Sequence, residues 1–296
     1  MNIPINGTFS FRECLWFLNR NFDDCMHTTG VDYVRKAILI NDQPVLFEIR
    51  EGKQELVVSI LHGNNTAVTQ KAIEDFIHEW FDLSRDLSQF YDQLSSHKDV
   101  SYMSRDFAGL RLIGIPDLFE AICWCIIGQQ INLTFAYKTK RRLVEKYGGK
   151  VTYEGQDYYT FPSPEALADA SPDILREMQF SGQKVVYLIG IATVFKEERM
   201  SKALLLALPD VAAQQKALTA IKGIGIWTAN YTLMKTLRIP SSIPYGDAGL
   251  LNALIAHKII SDKKDLDALN EFFRYFKGWE SYLVFYLWRS LAPQNG

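Results

Sequence analysis

The chain has 296 residues, of which 48% are hydrophobic, so it has enough material for two domains or one large domain with a substantial core. Its formal net charge of −2, from 32 Lys and Arg against 34 Asp and Glu, argues against a protein that is basic over its whole surface. No apolar run has the length of a membrane span and no secretion signal opens the chain, so we predict a cytoplasmic protein without a membrane segment.

Residues 33–62 have the pattern of antiparallel hairpins. Three apolar stretches, YVRKAILI, VLFEIR and ELVVSILH, are separated by the turn clusters NDQP and EGKQ. Helical apolar spacing precedes them in SFRECLWFLNRNF and follows them in NTAVTQKAIEDFIHEWFDL. We therefore predict a small α+β domain with an antiparallel sheet over residues 1–100.

Helical patterns dominate the rest of the chain. The segment IPDLFEAICWCIIGQQINLTFAYKTKRRLVEKYG opens with Pro116 and Asp117 and ends at Gly148, and later segments begin with Ser, Pro or Asp and continue at helical period. Within it the basic run YKTKRRLVEKYGGK is either a solvated helix face or a DNA contact. We predict a mostly helical region over residues 101–296, in which YGGKVTYEGQDYYTFP is a loop. The overall fold class is α+β.

The stretch ALTAIKGIGIWTANYTLM predicts two helices joined by a tight turn. Gly223 and Gly225 permit backbone torsions that other residues avoid, and they expose successive N–H groups at the start of the second helix. Such donors suit a phosphate and are blind to base sequence. An ordinary two-glycine turn between packed helices explains the same spacing equally well.

Asp247 stands alone among small residues in IPYGDAGLL. Pro244 and Gly246 predict a turn, and Asp247 is well placed to cap a helix through AGLLNALIAHKI. Capping is a far more frequent role than catalysis for such a residue. Its local sequence therefore leaves both roles open, with capping the commoner one.

Three separated motifs, taken together, carry a resemblance. The hairpin GIGIWTANY with the acid after it, GLRLIGIPDLFEAICWCIIGQQIN at residues 109–132 and KGWESYLVFYLW at residues 277–288 resemble the helix-hairpin-helix DNA glycosylase superfamily, 3-methyladenine DNA glycosylase II (AlkA-like) branch. That branch also has an N-terminal α+β domain. The resemblance covers nearly the whole chain, although the first hundred residues match in pattern more than in identity.

This resemblance implies a monofunctional DNA N-glycosylase of base excision repair. Such an enzyme flips an alkylated base, of the 3-methyladenine or 7-methylguanine type, out of double-stranded DNA and releases it by hydrolysis. Asp247 is then the catalytic acid, which stabilises the positive charge that develops on the sugar. One acid suffices because the alkylated base is already cationic. The chain would act as a monomer in the bacterial cytoplasm, at the nucleoid.

The resemblance also assigns a base pocket and a DNA surface. Trp227 and Tyr231 share one helix face, and Trp279 and Phe17 are expected to join them around the base, although Phe17 has core packing as an equal alternative. The residue after Asp247 is Ala248 where the branch has an aromatic, which indicates a wider pocket. Gln129 and Gln130 come at the end of an apolar helical run, before Asn132, and the resemblance implies that this loop enters the minor groove, with Gln130 filling the gap left by the flipped base. The other predicted DNA-binding residues are Gly223, Gly225, Ile224 and Thr228.

No cofactor is required by this interpretation. A structural monovalent cation, Na⁺ or K⁺, is expected on the backbone carbonyls of Thr219, Ile221 and Ile224. The four cysteines, none after Cys125 and none in a CxxC motif, exclude a four-cysteine iron–sulfur loop near the C-terminus, and the five scattered histidines give no zinc spacing.

Two other functions remain open. An oxidised-base or mismatch glycosylase of the same superfamily would use a Schiff-base lysine, but Trp227 occupies the position where one bifunctional branch has that lysine. A non-catalytic DNA-binding protein would use only the hairpin.

Overall fold

The computed structural model describes residues 1–20 and 22–292. Its N-terminal part is a five-stranded antiparallel sheet in the order β1-β5-β4-β3-β2. The strands are β1 (Asn2–Pro4), β2 (Thr28–Thr29), β3 (Tyr33–Ile40), β4 (Gln43–Glu51) and β5 (Glu55–His62). The three long strands confirm the prediction from apolar alternation. The edge strands β1 and β2 are too short to have a detectable pattern. Strand β1 pairs with the distant β5, and β2 pairs with the neighbouring β3.

Four helices accompany the sheet. They are α1 (Phe11–Leu18), α2 (Ala67–Trp80), α3 (Ser88–Ser96) and α4 (Met103–Asp106). Ser10 and Thr66 cap α1 and α2 through side-chain oxygens that accept backbone N–H groups three residues later, so the capping residues fix where these helices begin.

The remaining chain is mostly helical, which confirms the predicted α+β class. Its helices are α5 (Leu118–Gly128), α6 (Leu133–Tyr147), α7 (Pro164–Ala168), α8 (Pro172–Glu177), α9 (Gly182–Lys196), α10 (Lys202–Leu206), α11 (Val211–Thr219), α12 (Ile226–Thr232), α13 (Ala248–Ala256), α14 (Leu266–Tyr275) and α15 (Glu280–Ser290). A π-helical turn, Leu233–Leu237, extends α12. Among the described residues, none of these helices is both long and apolar enough to cross a bilayer.

The long segment after Pro116 forms two helices, with the expected helix end at Gln129 and Gln130 between them. Helix α5 ends at Gly128, Gln130 has the left-handed φ of +56°, and Asn132 then caps α6 by accepting the Phe135 N–H at 2.9 Å. Helical periodicity continues across this break, and the capping asparagine fixes where α6 begins.

The segment predicted as a loop after α6 is a two-stranded hairpin. Strands β6 (Lys150–Tyr153) and β7 (Gln156–Tyr159) pair around Glu154 and Gly155, both of which have positive φ. Two left-handed residues at the tip are typical of a type I′ turn, which a Glu-Gly pair signals weakly. The hairpin packs Val151 and Tyr158 against the sheet residues Ala37 and Leu46.

Two large hydrophobic cores organise the described residues. One joins the sheet and α2–α4 to the last helices, α13–α15, and the other lies within residues 118–237 together with Cys25 and Met26. The C-terminal helices therefore share a core with the N-terminal part, across the predicted boundary between residues 100 and 101. That division into two domains stays a prediction, and the candidate site lies where the two cores meet.

Candidate active site

The turn between α11 and α12 depends on one of its two glycines for its conformation. Gly223 has a φ of +98°, and a Cβ at this position would lie 2.6 Å from the ring of Tyr187. Gly225 has the ordinary φ of −89°, and a Cβ there would meet no atom within 4 Å. The expectation that both glycines supply unusual torsions is therefore correct only for Gly223. Because Gly225 has no side chain, the surface at the N-terminus of α12 stays open.

The first turn of α12 presents free backbone donors. Gly225 is the N-cap and has no side chain to accept these N–H groups, and Ile226 beside it is 55% exposed. The side chains of Ile224 and Thr228 are buried, so these two predicted DNA-binding residues can reach DNA only through their backbone. The resulting surface has the geometry of an anion site made of N–H groups.

Asp247 caps α13 and also contacts a tryptophan of α15. Its Oδ1 atom accepts the backbone N–H of Leu250 at 2.8 Å and the indole N–H of Trp288 at 2.9 Å. Within the described residues no hydrogen bond reaches its Oδ2 atom, and the side chain is half-buried. The capping role and a chemical role are thus compatible, because the first uses one carboxylate oxygen and leaves the other available.

A row of aromatic rings extends from Asp247. Trp227 stacks on Tyr231 with ring centroids 5.3 Å apart, and Tyr231 lies 6.2 Å from Trp288. Phe285 connects this row to Phe17, at 6.2 Å from Trp288 and 4.5 Å from Phe17. The structure therefore brings together three of the predicted pocket residues, Trp227, Tyr231 and Phe17, and links them to Asp247 through two residues that the sequence analysis did not assign.

Trp279 is not part of this row. It lies 8% exposed in the core beneath α3, with its ring 5.7 Å from Phe90 and its indole N–H donating to Gln89 at 3.3 Å. It is the N-cap residue of α15, and Trp288 lies nine residues further along that helix, about 13 Å at 1.5 Å per residue. Trp288 takes the position that was predicted for Trp279. The three-residue spacing of Phe285 and Trp288 was the available signal, because it places both rings on one helix face.

A cavity of about 740 Å³, including its open mouth, lies beside Phe17 and Tyr231. Aromatic rings, cations and the carboxylates of Asp24 and Glu120 line it. The guanidinium of Arg20, another lining residue, lies 3.9 Å from the Phe17 ring centroid. Lys235 is 2% exposed, and burial together with repulsion from Arg20 lowers the pKa of its ammonium well below the usual value. Asp247 is not among the lining residues, whereas Phe17 and Tyr231 belong both to the lining and to the aromatic row.

The loop between α5 and α6 presents its two glutamines differently. Gln130 is exposed and has a left-handed backbone. Gln129 is half-buried, and its Nε2 atom donates to the carbonyl oxygen of Gly223 at 3.2 Å. Of the two glutamines, only Gln130 therefore has the exposed side chain that the predicted DNA contact requires.

The carbonyls predicted to hold a monovalent cation lie at the end of α11 and in the turn. The carbonyl oxygen of Ile221 accepts the N–H of Ile224 at 3.1 Å, and those of Thr219 and Ile224 accept no backbone N–H from the described residues outside the helices. Backbone oxygens of this kind fit a hard monovalent ion. Residues 1–20 and 22–292 contain no cluster of three His, Cys, Asp or Glu residues that could hold a metal.

The chain is similar to known DNA repair proteins over nearly its whole length. The sequence profile described as HhH-GPD superfamily base excision DNA repair protein matches residues 123–277, and that of the 8-oxoguanine DNA glycosylase N-terminal domain matches residues 21–122. A protein of Bacillus subtilis strain 168 named DNA-3-methyladenine glycosylase is 36% identical over 292 residues, which cover 98% of this chain and 96% of that protein.

Solved structures with the same fold include two glycosylases. The 3-methyladenine DNA-glycosylase from Archaeoglobus fulgidus superposes with a TM-score of 0.85 at 22% identity and covers 99% of both chains. The Clostridium acetobutylicum 8-oxoguanine glycosylase/lyase, solved with double-stranded DNA containing cytosine opposite 8-oxoG, has a TM-score of 0.74 at 18% identity, covering 95% of this chain and 90% of that one. At these identities the likeness concerns the fold.

Proposed function

The chain belongs to the HhH-GPD superfamily of base excision DNA repair proteins, and from this premise we propose that it is a monofunctional DNA glycosylase that releases alkylated bases from double-stranded DNA. The observation that carries the proposal is the arrangement of Asp247. One of its oxygens is held by Leu250 and by Trp288, which belongs to the aromatic row, while the other accepts no hydrogen bond from the described residues.

The reaction needs a negative charge beside the anomeric carbon of the extruded nucleotide. As the N-glycosidic bond breaks, positive charge develops on the sugar, and the free oxygen of Asp247 stabilises it. The same carboxylate orients or deprotonates the attacking water. A base alkylated at a ring nitrogen leaves readily because it already carries a positive charge, so no second acid is needed.

The aromatic row supports the choice of an alkylated base. A desolvated cation over an aromatic face gains on the order of 2 kcal/mol, which favours a cationic base over a normal one by a modest factor. The facing rings of Trp227 and Tyr231, 5.3 Å apart, extend toward Trp288 and the acid. A pocket built on rings rather than on specific hydrogen bonds is suited to several alkylated bases.

The positions of the lysines near the hairpin support hydrolysis without strand cleavage. Trp227 stands at the second position after Gly225, where a Schiff-base nucleophile would otherwise lie. Lys216 and Lys222 are both exposed. A strand-cleaving reaction therefore has no lysine at the matched position.

The DNA contacts follow from the open surfaces around the site. The backbone N–H groups at the start of α12 would bind a phosphate, and the exposed Gln130 would enter the duplex beside the flipped nucleotide. A monovalent cation on the carbonyls of Thr219, Ile221 and Ile224 would add positive charge beneath the same phosphate.

A second candidate function has one specific observation in its favour. The match of residues 21–122 to the 8-oxoguanine DNA glycosylase N-terminal domain favours an oxidised base as the substrate. The two candidates differ in their product. The 8-oxoguanine enzyme of Clostridium acetobutylicum is described as a glycosylase/lyase, so an enzyme of that kind would also cleave the DNA strand.

The decisive experiment compares the protein with Asp247→Asn on methylated duplex DNA. Asparagine is an equally good helix cap, so the fold and DNA affinity should persist, while base release should slow by at least about 100-fold. Released bases are identified by mass spectrometry, and a parallel duplex carries 8-oxoguanine.

Strand breaks that appear only after alkali treatment support hydrolysis alone, whereas breaks without alkali contradict it. Base release that is unaffected by Asp247→Asn, or absent in the parent protein, would leave a non-catalytic DNA-binding protein as the better description.

A further inference from the structure

The α5–α6 loop and the hairpin turn meet at a single side chain. Gln129 lies at the end of α5, and its Nε2 atom donates to the carbonyl oxygen of Gly223 at 3.2 Å. The two residues are 94 positions apart in the sequence. This contact ties the loop that exposes Gln130 to the middle of the turn that exposes the N–H groups of α12.

Helix α9 supports both partners of this contact. The ring of Tyr187 lies directly against Gly223, and its hydroxyl accepts a hydrogen bond from Gln183 at 2.6 Å. One turn earlier on the same helix, Lys184 donates to the carbonyl oxygen of Ile127 at 2.7 Å and so holds the last turn of α5. The loop and the turn are thus attached to each other and to a common helix.

Glutamine has the chemistry that this position requires. A carbonyl oxygen needs a donor, so glutamate at residue 129 would place a charged acceptor against an acceptor. Alanine would leave the Gly223 carbonyl without this donor. Because Gln130 follows directly and has a constrained left-handed backbone, its direction depends on how residue 129 is held.

We propose that Gln129 is a positioning residue that couples the hairpin turn to the Gln130 loop, so that capture of a phosphate by the hairpin fixes Gln130 in the orientation that enters the duplex. The inference rests on the proposed function, in which both surfaces contact DNA. It changes the role of Gln129 from a direct DNA contact to a link between two contacts.

The test separates binding from flipping. Gln129→Ala and Gln129→Glu are compared with the parent protein for affinity to undamaged duplex, for 2-aminopurine fluorescence at a flippable position and for single-turnover base release. We expect duplex affinity within about twofold of the parent, because the hairpin N–H groups remain. Flipping and release should fall about tenfold for the alanine variant and further for the glutamate variant.

A matched control removes an equivalent hydrogen bond elsewhere. Gln70 in α2 donates to Asn65 at 2.8 Å, far from both DNA-facing loops in the sequence, so Gln70→Ala should leave flipping and release unchanged. Thermal melting of all variants shows whether the Gln129 changes act through loss of folding. Gln129→Ala with lost flipping and an unchanged melting temperature supports the proposal.

A double variant tests whether Gln129 acts through Gln130. If it does, Gln129→Ala should cost little in flipping when Gln130→Ala is already present. An equal cost in both backgrounds, or a parallel loss of undamaged-duplex affinity and flipping, would overturn the proposal. If the parent protein flips 2-aminopurine but releases no alkylated base, the proposed function fails while the coupling of the two loops can still be measured.

Discussion

At the scale of single residues, the proposed chemistry depends on the different contacts of the two carboxylate oxygens of Asp247. Oδ1 of Asp247 is held by Leu250 and Trp288, which fixes the rotation of the carboxylate about its own axis. The indole contact is a hydrogen bond to a charged group, and removal of such a bond typically costs about 1.5–3 kcal/mol. Trp288 should therefore orient the acid as well as line the pocket.

Trp288→Phe separates these two roles because phenylalanine keeps an aromatic ring and lacks the N–H donor. We expect the single-turnover rate of base release to fall about tenfold, with little change in the substrate concentration needed for half-maximal rate. Trp288→Ala should impair both. A parent-like rate in Trp288→Phe would show that the indole N–H has no part in orienting Asp247.

Residue chemistry was only partly predictable from the sequence. Trp227 and Tyr231 were identified because their four-residue spacing places them on one face of a single helix, and local spacing is visible in a sequence. The choice between Trp279 and Trp288 depends on which end of α15 faces α12, and that is decided by packing between distant segments. The place of Lys235 in the cavity lining has no sequence signal either, because its burial also depends on packing between distant segments.

At the scale of elements, the two glycines of the hairpin should respond differently to the same change. Gly223→Ala places a methyl group 2.6 Å from the Tyr187 ring in a left-handed backbone, and we expect a loss of at least about 2 kcal/mol in unfolding free energy. Gly225→Ala meets no protein atom within 4 Å, so its cost to folding should stay below about 1 kcal/mol, the price of a poorer cap.

Binding measurements complete this comparison. The methyl group of Gly225→Ala would stand in front of the free N–H groups of α12, where the phosphate is proposed to bind. We expect its affinity for undamaged duplex to fall about tenfold although its urea denaturation midpoint is nearly unchanged. Parent-like DNA affinity in Gly225→Ala would contradict a phosphate site at this turn.

Element prediction succeeded where the pattern was local and long. Strands β3 and β5 match the apolar stretches at residues 33–40 and 55–62, since alternation over eight residues is a strong signal. The helix end at Gln129 and Gln130 was expected although apolar periodicity continues past it, and α5 does end there, at Gly128. The loop that follows exposes Gln130.

At the scale of the whole molecule, the candidate site lies where two cores meet. Phe17 and Phe285 pack on the core that contains the sheet, whereas Tyr231 packs on the core of residues 118–237. The relative position of these cores thus sets the distance between the aromatic row and the acid. Polar contacts between the N-terminal segment and α6 help to fix that position.

The central contact of this kind is an ion pair between Asp24 and Lys140. Their side-chain atoms lie 3.5 Å apart, and Lys140 also bonds Glu120 at 3.2 Å. Burial by itself raises the pKa of Asp24, but the Lys140 ammonium and His27 lower it more strongly, so that the pKa is about 2 against the ordinary 3.8. By linkage, a carboxyl with a depressed pKa stabilises the fold above its unfolded pKa and loses that contribution as the pH falls toward the folded value.

Asp24→Asn should therefore cost about 2 kcal/mol of unfolding free energy at pH 7, and the difference from the parent should shrink below about pH 4 and vanish only below about pH 2. Urea denaturation across this pH range measures it. Asp23→Asn is the matched control, because Asp23 pairs at 2.5 Å with Arg141 on the same helix but is 46% exposed, and such surface pairs contribute at most about 1 kcal/mol. Equal costs for the two substitutions, or a penalty for Asp24→Asn that does not shrink between about pH 5 and pH 2, would show that the Asp24–Lys140 pair does not hold the segment around Asp24 against α6.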